Sequence, residues 1–200
     1  MLIGLDSSEI PPHEPGHSYV PYTIPAVTIN IDGKEEHIMD SMAIATALEK
    51  YFPQEPLHLD SPMIARMTPV MIAIFEALRP EVVPKVPRNI LNPVSAEYFQ
   101  RERSKNFGMS LDEVEKTLGG EAAWTAAKEP IDAMVKLLTE DPSGPFYEGN
   151  KRTWADIKFV TILHFYKRVD EKTFERLLAY SKCFSDFYDA HAEFFKRDDH

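Results

Sequence analysis

A chain of 200 residues, 44% hydrophobic and 11% aromatic, can bury a core as one domain or as two small ones, which excludes a disordered protein. Its net charge of −10 argues against nucleic acid or an anionic membrane as a partner, because both bind basic surfaces. The single cysteine, Cys183, excludes an internal disulfide framework and is typical of a reducing compartment.

The chain opens with a short apolar run, residues 2–5, that predicts a strand, and a proline-rich loop follows. The start lacks a basic cluster and a long apolar core, and no later run reaches the roughly 18 apolar residues that span a bilayer. We therefore expect a soluble, cytoplasmic protein. His13 and His17 lie in the loop, but Pro15 and Gly16 prevent the helical geometry of a paired metal site, so we predict no metal.

A β-hairpin is predicted next. Residues 26–31 are rich in β-branched side chains, Asp32-Gly33 is a strong turn signal, and residues 36–39 return as an antiparallel partner.

A helix is predicted directly after the hairpin. Apolar residues from Met42 to Tyr51 lie at helical spacing, and Pro53 ends the pattern. Asp40 and Ser41 stand at its start, where the pair can act simply as a helix cap. The N–H groups of a helix N-terminus, a Ser hydroxyl and the helix dipole also favour a bound carboxylate, while Asp40 can hold an ammonium group.

The run TIPAV at residues 23–27, followed by an acidic residue and Ser before a helix, resembles the glutathione-binding half of a glutathione transferase. The resemblance implies that Pro25 is cis and that the backbone of Ile24 pairs with the cysteinyl part of glutathione. It further implies that Asp40 and Ser41 receive the γ-glutamyl end of glutathione.

The start of the chain departs from the family pattern. A glutathione transferase begins with a strand, a helix and a second strand, and residues 2–5 correspond best to the second strand. The catalytic Ser, Tyr or Cys normally follows the first strand, so no catalytic residue is assigned. A truncated sequence, a reduced sheet and a partner chain that completes the sheet all remain open. A basic or aromatic residue near this position often contacts the glycine end of glutathione, which makes His17, Tyr19 and Tyr22 candidates.

Residues 53–60 are proline-rich and predict a domain boundary. The fold class implied is α+β, a glutathione transferase fold. It comprises a reduced or truncated thioredoxin-like N-terminal domain at residues 1–58 and an all-α C-terminal domain at residues 59–200.

The second domain begins with Ser61-Pro62, a cap followed by proline at the first helical position. Met71 and Phe75 lie on the apolar face of this helix, where core or dimer packing is the simpler interpretation, although both would suit a pocket for a hydrophobic substrate. The proline-interrupted residues 79–93 predict a loop.

Residues 97–116, EYFQRERSKNFGMSLDEVEK, resemble a signature of fungal glutathione transferases related to the etherase-like class. Arg101 and Arg103 fit a solvated helix face that pairs with Glu97 and Glu102. Alternatively, one of these cations faces the cleft between the domains and stabilises a thiolate or an enolate.

Thr153 and Asp156 form the short-acid version of a capping box in front of a helix that is apolar nearly all round. A capped, buried helix of this kind resembles the hallmark of the second domain in the family, so Asp156 is interpreted as structural. We expect His164 to pack rather than react, and Cys183 not to be a nucleophile. Further helices are predicted over residues 110–118, from Glu121 onward, over residues 171–180 and over residues 185–196.

The resemblance implies an enzyme that binds glutathione as its cofactor and presents the thiolate to a hydrophobic electrophile. The product is either a conjugate or, after reversible addition, a cis/trans isomer, in fungal secondary-metabolite biosynthesis. The expected partners are glutathione, a hydrophobic small molecule and a second copy of the chain. A non-catalytic binding or regulatory protein and an etherase that cleaves aryl ethers remain alternatives.

Overall fold

The structure is a computed structural model that describes residues 10–14, 16, 21–54 and 56–196. The chain divides into two compact units, Met1–Leu59 and Asp60–His200. The strand predicted at residues 2–5 lies outside the described residues, as do the candidates His17 and Tyr19.

The first unit contains the predicted hairpin and helix. Strands β1 (Ala26–Ile31) and β2 (Lys34–Met39) pair antiparallel, from Ala26 opposite Met39 to Ile31 opposite Lys34. Both turn residues, Asp32 and Gly33, have positive φ, which a two-residue hairpin turn requires. Helix α1 (Ser41–Tyr51) follows, as predicted.

The second unit is helical throughout its regular structure. Its elements in chain order are α2 (Pro62–Val82), a 3₁₀ helix (Val83–Lys85), α3 (Val86–Asn89), α4 (Pro93–Phe107), α5 (Leu111–Leu118), α6 (Glu121–Leu138), α7 (Trp154–Val169), α8 (Glu171–Tyr180), α9 (Lys182–Asp189) and a terminal 3₁₀ helix (Ala192–Phe195). The helix starts predicted at Ser61, Ser110 and Thr153 are confirmed.

The loop predicted at residues 79–93 is wrong, because α2, the 3₁₀ helix and α3 occupy most of that stretch. Pro84 and Pro87 stand in the first turns of their helices, where the missing proline N–H would have no partner in any case. The buried side chains of Val82 and Val86 hold the segment against the core.

The single helix predicted at residues 185–196 is also wrong, because α9 ends at Asp189 and a separate 3₁₀ helix follows. The cause is the side chain of His191. Its Nδ1 donates to the carbonyl of Phe187 at 2.7 Å, the acceptor that the His191 N–H would use in a continuous α-helix. The His191 N–H instead donates to the carbonyl of Tyr188 at 3.0 Å.

Helix α7 lies at the centre of the helical unit and contacts α2, α3, α8 and α9. Phe159 of α7 packs against three buried rings, with centroid distances of 6.4 Å to Tyr147, 5.9 Å to Phe184 and 5.6 Å to Phe187. The apolar pattern of α7 therefore reflects its burial, as the sequence indicates.

The Asp156 carboxylate fixes the start of α7. Its Oδ2 accepts from the Thr153 N–H at 2.7 Å and from the Thr153 hydroxyl at 2.9 Å, and its Oδ1 accepts from the Tyr147 N–H at 3.0 Å. The side chain is 0% exposed, so the carboxylate is stabilised by these donors and not by water. The structural interpretation of Asp156 agrees with this geometry.

We expect the substitution Asp156→Ala to lower the free energy of unfolding by about 3 kcal/mol, because it leaves the buried Tyr147 N–H without an acceptor and removes the cap. Urea denaturation followed by circular dichroism measures the loss. Asp112→Ala is the control, since Asp112 is exposed in the first turn of α5, and it should cost less than about 1 kcal/mol. Equal losses in the two variants would contradict the assignment.

We expect His191 to make stability depend on acid pH. Burial lowers the pKa of His191 below its ordinary value of 6.5, against the raising effect of the hydrogen bond to Phe187. The unfolded chain therefore takes up a proton at a higher pH than the folded chain. The free energy of unfolding should be constant above about pH 6.5 on this account and should fall as pH decreases from there towards the lower folded-state pKa.

Urea denaturation between pH 5 and pH 8 measures this dependence. The variant His191→Gln should show a flatter pH dependence than the unmodified chain. If the free energy of unfolding of His191→Gln depends on pH as steeply as that of the unmodified chain, His191 is not the source of the pH dependence.

Candidate functional site

Ile24 precedes the first strand with its backbone available to another molecule. The Ile24-Pro25 peptide bond is cis, and Ile24 is 80% exposed. The neighbouring Thr23 is anchored: its N–H donates to Met39 Sδ at 3.1 Å, and its hydroxyl is hydrogen-bonded to His13 Nε2 at 2.7 Å. No residue that the structure describes forms a hydrogen bond with the N–H or C=O of Ile24.

Asp40 caps helix α1. Its Oδ1 accepts from the N–H groups of Met42 at 2.9 Å and Ala43 at 3.1 Å, and its carbonyl accepts from the N–H of Ile44 at 2.9 Å. The backbone of Asp40 has a φ of 83°, a value that non-glycine residues rarely adopt. Such conformations are concentrated at functional sites, where the surrounding structure maintains them.

Ser41 is the first helical residue and is exposed. Within the described part of the chain, neither its N–H nor its hydroxyl has a hydrogen-bond partner. The cap on Met42 and Ala43 thus leaves the Ser41 N–H and hydroxyl as the groups of this helix start that can receive an anion.

The hairpin places the two sequence motifs together. Ala26 and Met39 are the paired residues at one end of the ladder, and paired Cα atoms lie about 5 Å apart. Pro25 enters the ladder and Asp40 leaves it at that same end. Tyr22, the other described candidate, is half-buried in the segment that leads to Ile24. The structure therefore brings Ile24, Pro25, Asp40 and Ser41 to one end of the hairpin.

The apolar substrate candidates lie on α2. Met71 and Phe75 are half-buried and pack against the hydrophobic core of the helical unit. The ring of Phe75 lies 6.5 Å from that of Phe165 on α7. Core packing accounts for the buried part of both side chains, and the remainder of each is accessible.

The cationic substrate candidates lie on α4 and differ in their contacts. Arg101 Nε lies 2.9 Å from a carboxylate oxygen of Glu102, and its guanidinium lies over the ring of Tyr98. Arg103 lies over the ring of Phe99 at 5.2 Å and forms no ion pair with any described residue. Glu97, the other predicted partner, also takes part in no ion pair in the described ranges. The prediction of a solvated helix face, on which the arginines pair with glutamates, thus fits Arg101 better than Arg103.

Lys158, in the middle of the apolar helix α7, was not identified from the sequence. It is half-buried, its Nζ donates to Thr68 Oγ1 at 3.0 Å, and burial lowers its pKa. A lysine within an apolar pattern gives no signal of its partner, because the partner lies on another helix.

Residues 10–14, 16, 21–54 and 56–196 contain no group of three or more His, Cys, Asp or Glu side chains that could hold a metal ion. None of their helices is long and apolar enough to cross a membrane.

Comparison with known proteins covers most of the chain. The family described as "Glutathione S-transferase, C-terminal domain" matches residues 69–193. The glutathione S-transferase-like protein ustS of Aspergillus flavus is 30% identical over 191 residues, which cover 87% of this chain and 67% of ustS.

Two solved structures extend the likeness to the fold. A glutathione S-transferase of Ceriporiopsis subvermispora, in complex with glutathione, is 27% identical with a TM-score of 0.64, over 80% of this chain and 71% of that one. The glutathione transferase GSTFuA2 of Phanerochaete chrysosporium is 20% identical with a TM-score of 0.68, over 87% and 71%. These likenesses confirm the predicted fold class, a thioredoxin-like N-terminal domain followed by an all-α domain. The chain belongs to the glutathione S-transferase family.

Proposed function

We propose that this protein is an enzyme that binds glutathione at the end of the hairpin and adds its thiolate to a hydrophobic electrophile. The observation that carries the proposal is a set of polar groups at one end of the ladder that have no hydrogen-bond partner among the described residues. These are the N–H and C=O of Ile24 and the N–H and hydroxyl of Ser41.

The backbone of Ile24 suits the central part of glutathione. An exposed backbone with both polar groups unpaired adds an extended peptide through a donor and an acceptor at once. Thr23, held by Met39 and His13, keeps that backbone in place before a ligand arrives. Tyr22 and His17 remain candidates for the contact with the glycine end.

Ser41 suits the γ-glutamyl carboxylate. The Ser41 N–H and hydroxyl supply two donors at the positive end of the α1 dipole. Asp40 supplies a negative charge one residue earlier, as the ligand's ammonium group requires. The positive φ of Asp40 supports a functional role for this turn. The relative from Ceriporiopsis subvermispora, which was solved with glutathione, supports the same ligand.

On the electrophile side, we assign Arg103 rather than Arg101 as the cation that stabilises developing negative charge. Arg103 has no ion-pair partner in the described ranges, whereas the charge of Arg101 is already countered by Glu102. A guanidinium that is not already paired retains more of its field for a thiolate or an enolate. The accessible parts of Met71 and Phe75 provide apolar surface that adapts to different substrates.

Glutathione supplies a nucleophilic thiolate, and its addition to an electrophilic carbon has two outcomes. If the carbon–sulfur bond is retained, the product is a conjugate. If the addition is to a conjugated double bond, rotation about the resulting single bond and loss of the thiolate give cis/trans isomerisation. We propose a substrate of one of these two kinds, from fungal secondary metabolism, together with a cytoplasmic location and a homodimer.

The first prediction concerns binding. We expect reduced glutathione to bind the chain in the micromolar to millimolar range by titration calorimetry, and Ser41→Ala to weaken binding by about 1–3 kcal/mol, because a hydrogen bond to a charged group is lost. Thr46→Ala is the matched control: its hydroxyl lies on the same helix and donates to the carbonyl of Met42 at 2.8 Å, away from the proposed site. Its affinity should not change.

No heat from a folded chain at millimolar glutathione would contradict the site and favour a non-catalytic member of the family. Equal losses in Ser41→Ala and Thr46→Ala would indicate a general effect on α1 and not a contact with the ligand.

The second prediction concerns turnover. With an aryl halide, product formation should consume an equal amount of glutathione; with a cis-configured conjugated polyene, isomerisation should consume none. Arg103→Gln should lower kcat about tenfold, because it removes charge stabilisation, and Arg101→Gln should change kcat little. Absorbance measures the formation of the conjugate or of the isomer, and thiol titration measures the consumption of glutathione. Binding of glutathione without turnover of either substrate would support a regulatory protein.

A further inference from the structure

The amine of Lys158 has a neutral partner. Lys158 Nζ donates to Thr68 Oγ1 at 3.0 Å, and the Thr68 hydroxyl donates its own hydrogen to the carbonyl of Ile64 at 2.7 Å. Thr68 can therefore only accept from the amine, and it brings no negative charge to it.

Some lysines of the helical unit are paired with carboxylates. Lys85 contacts Glu81 and Asp170, Lys128 contacts Asp132, and Lys182 contacts Asp186. In contrast, no acidic side chain in the described part of the chain forms an ion pair with Lys158. Burial is the cause of its lowered pKa, and no charged group contributes. At neutral pH, a larger fraction of this amine is therefore unprotonated and nucleophilic.

Apolar residues lie one helical turn from both Lys158 and Thr68. Thr68 lies one helical turn from Ile64 and from Ile72, and Lys158 lies one turn from Ile162. Ile64 and Ile162 are half-buried against the core, and Ile72 is 51% exposed. An apolar molecule that reaches this face would meet the amine at the edge of a hydrophobic surface.

We propose that Lys158 is a covalent binding site for apolar aldehydes, in addition to the proposed glutathione chemistry and independent of it. The nitrogen lone pair adds to the carbonyl carbon to form a carbinolamine. The carbinolamine loses its oxygen as water, which carries away both amine hydrogens, and a carbon–nitrogen double bond remains. No oxidant or reductant is required. Thr68 accepts one amine hydrogen and supplies no charge that would hold the amine in its protonated form.

The test traps the imine on the full chain. Hexanal and cyanoborohydride at pH 7 convert each imine into a stable secondary amine, and peptide mass spectrometry gives the alkylation rate of every lysine. Lys158 should react severalfold faster than Lys128 and Lys182, because a lowered pKa raises the unprotonated fraction and no carboxylate pairs with its amine. Acetaldehyde should show a smaller preference, because it gains less from an apolar surface.

Variants of Thr68 test whether the alkylation rate of Lys158 depends on its uncharged environment or only on its exposure to solvent. Thr68→Asp places a carboxylate beside Lys158, which should raise its pKa and reduce its alkylation at pH 7 about tenfold. Thr68→Val keeps the shape without adding a charge and should leave the preference in place. Circular dichroism checks that both variants fold.

Alkylation of Lys158 no faster than that of Lys128 and Lys182 would overturn the proposal, whether or not the variants fold. A fast reaction that Thr68→Asp leaves unchanged would also overturn it, since reactivity would then not depend on the uncharged environment. Glutathione binding in Lys158→Arg should equal that of the unmodified chain, so failure here is distinct from failure of the glutathione site.

Discussion

The helical unit depends on one buried carboxylate. Asp156 has no exposed surface, and three donors from the loop and from the start of α7 satisfy it. A carboxylate in such a position is tolerated because hydrogen bonds and the helix dipole replace its hydration. The same contacts fix where α7 begins and how the loop at Tyr147 approaches it. Since α7 contacts α2, α3, α8 and α9, the position of this one group sets the packing of the unit.

The end of the chain is attached to the same loop. The Arg152 guanidinium lies over the rings of Phe146 and Phe194, donates to the carbonyl of Ala190 at 3.1 Å and pairs with Glu193. Arg152 directly precedes the cap residue of α7, so the geometry that Asp156 imposes also positions the terminal 3₁₀ helix. The capping motif thereby influences the packing of residues about 40 positions further along the chain. It does so through Arg152, whose guanidinium stacks on aromatic rings and forms hydrogen bonds.

Local rules explain what the sequence predicts well and where it fails. The hairpin and the helix starts at Ser61, Ser110 and Thr153 follow from turn and capping residues that act on their own neighbours. The helical segment at residues 79–93 depends on buried contacts with the core, which override the preferences of Pro. The break at His191 depends on the hydrogen bond from its own buried side chain to the carbonyl of Phe187, which overrides the helical pattern. At the proposed site, the sequence motif locates Asp40 and Ser41. It does not show that the side chain of Asp40 caps α1, which is visible only in the structure.

The proposed contacts are mainly backbone groups in the hairpin unit and side chains in the helical unit. This difference affects how readily ligand and substrate specificity change with sequence. In the hairpin unit the proposed contacts are backbone groups and one hydroxyl, and the Ile24 side chain is 80% exposed without a packing role. Such a site tolerates changes of side chain, so recognition of one peptide ligand can persist among relatives of 27% identity. In the helical unit, the proposed groups of Arg103 and Lys158 are charged or nucleophilic side chains, and no carboxylate in the described part of the chain forms an ion pair with either. A single substitution that added or removed a charge beside them would change their proposed chemistry, and we infer that relatives with a shared cofactor diverge in substrate through this unit.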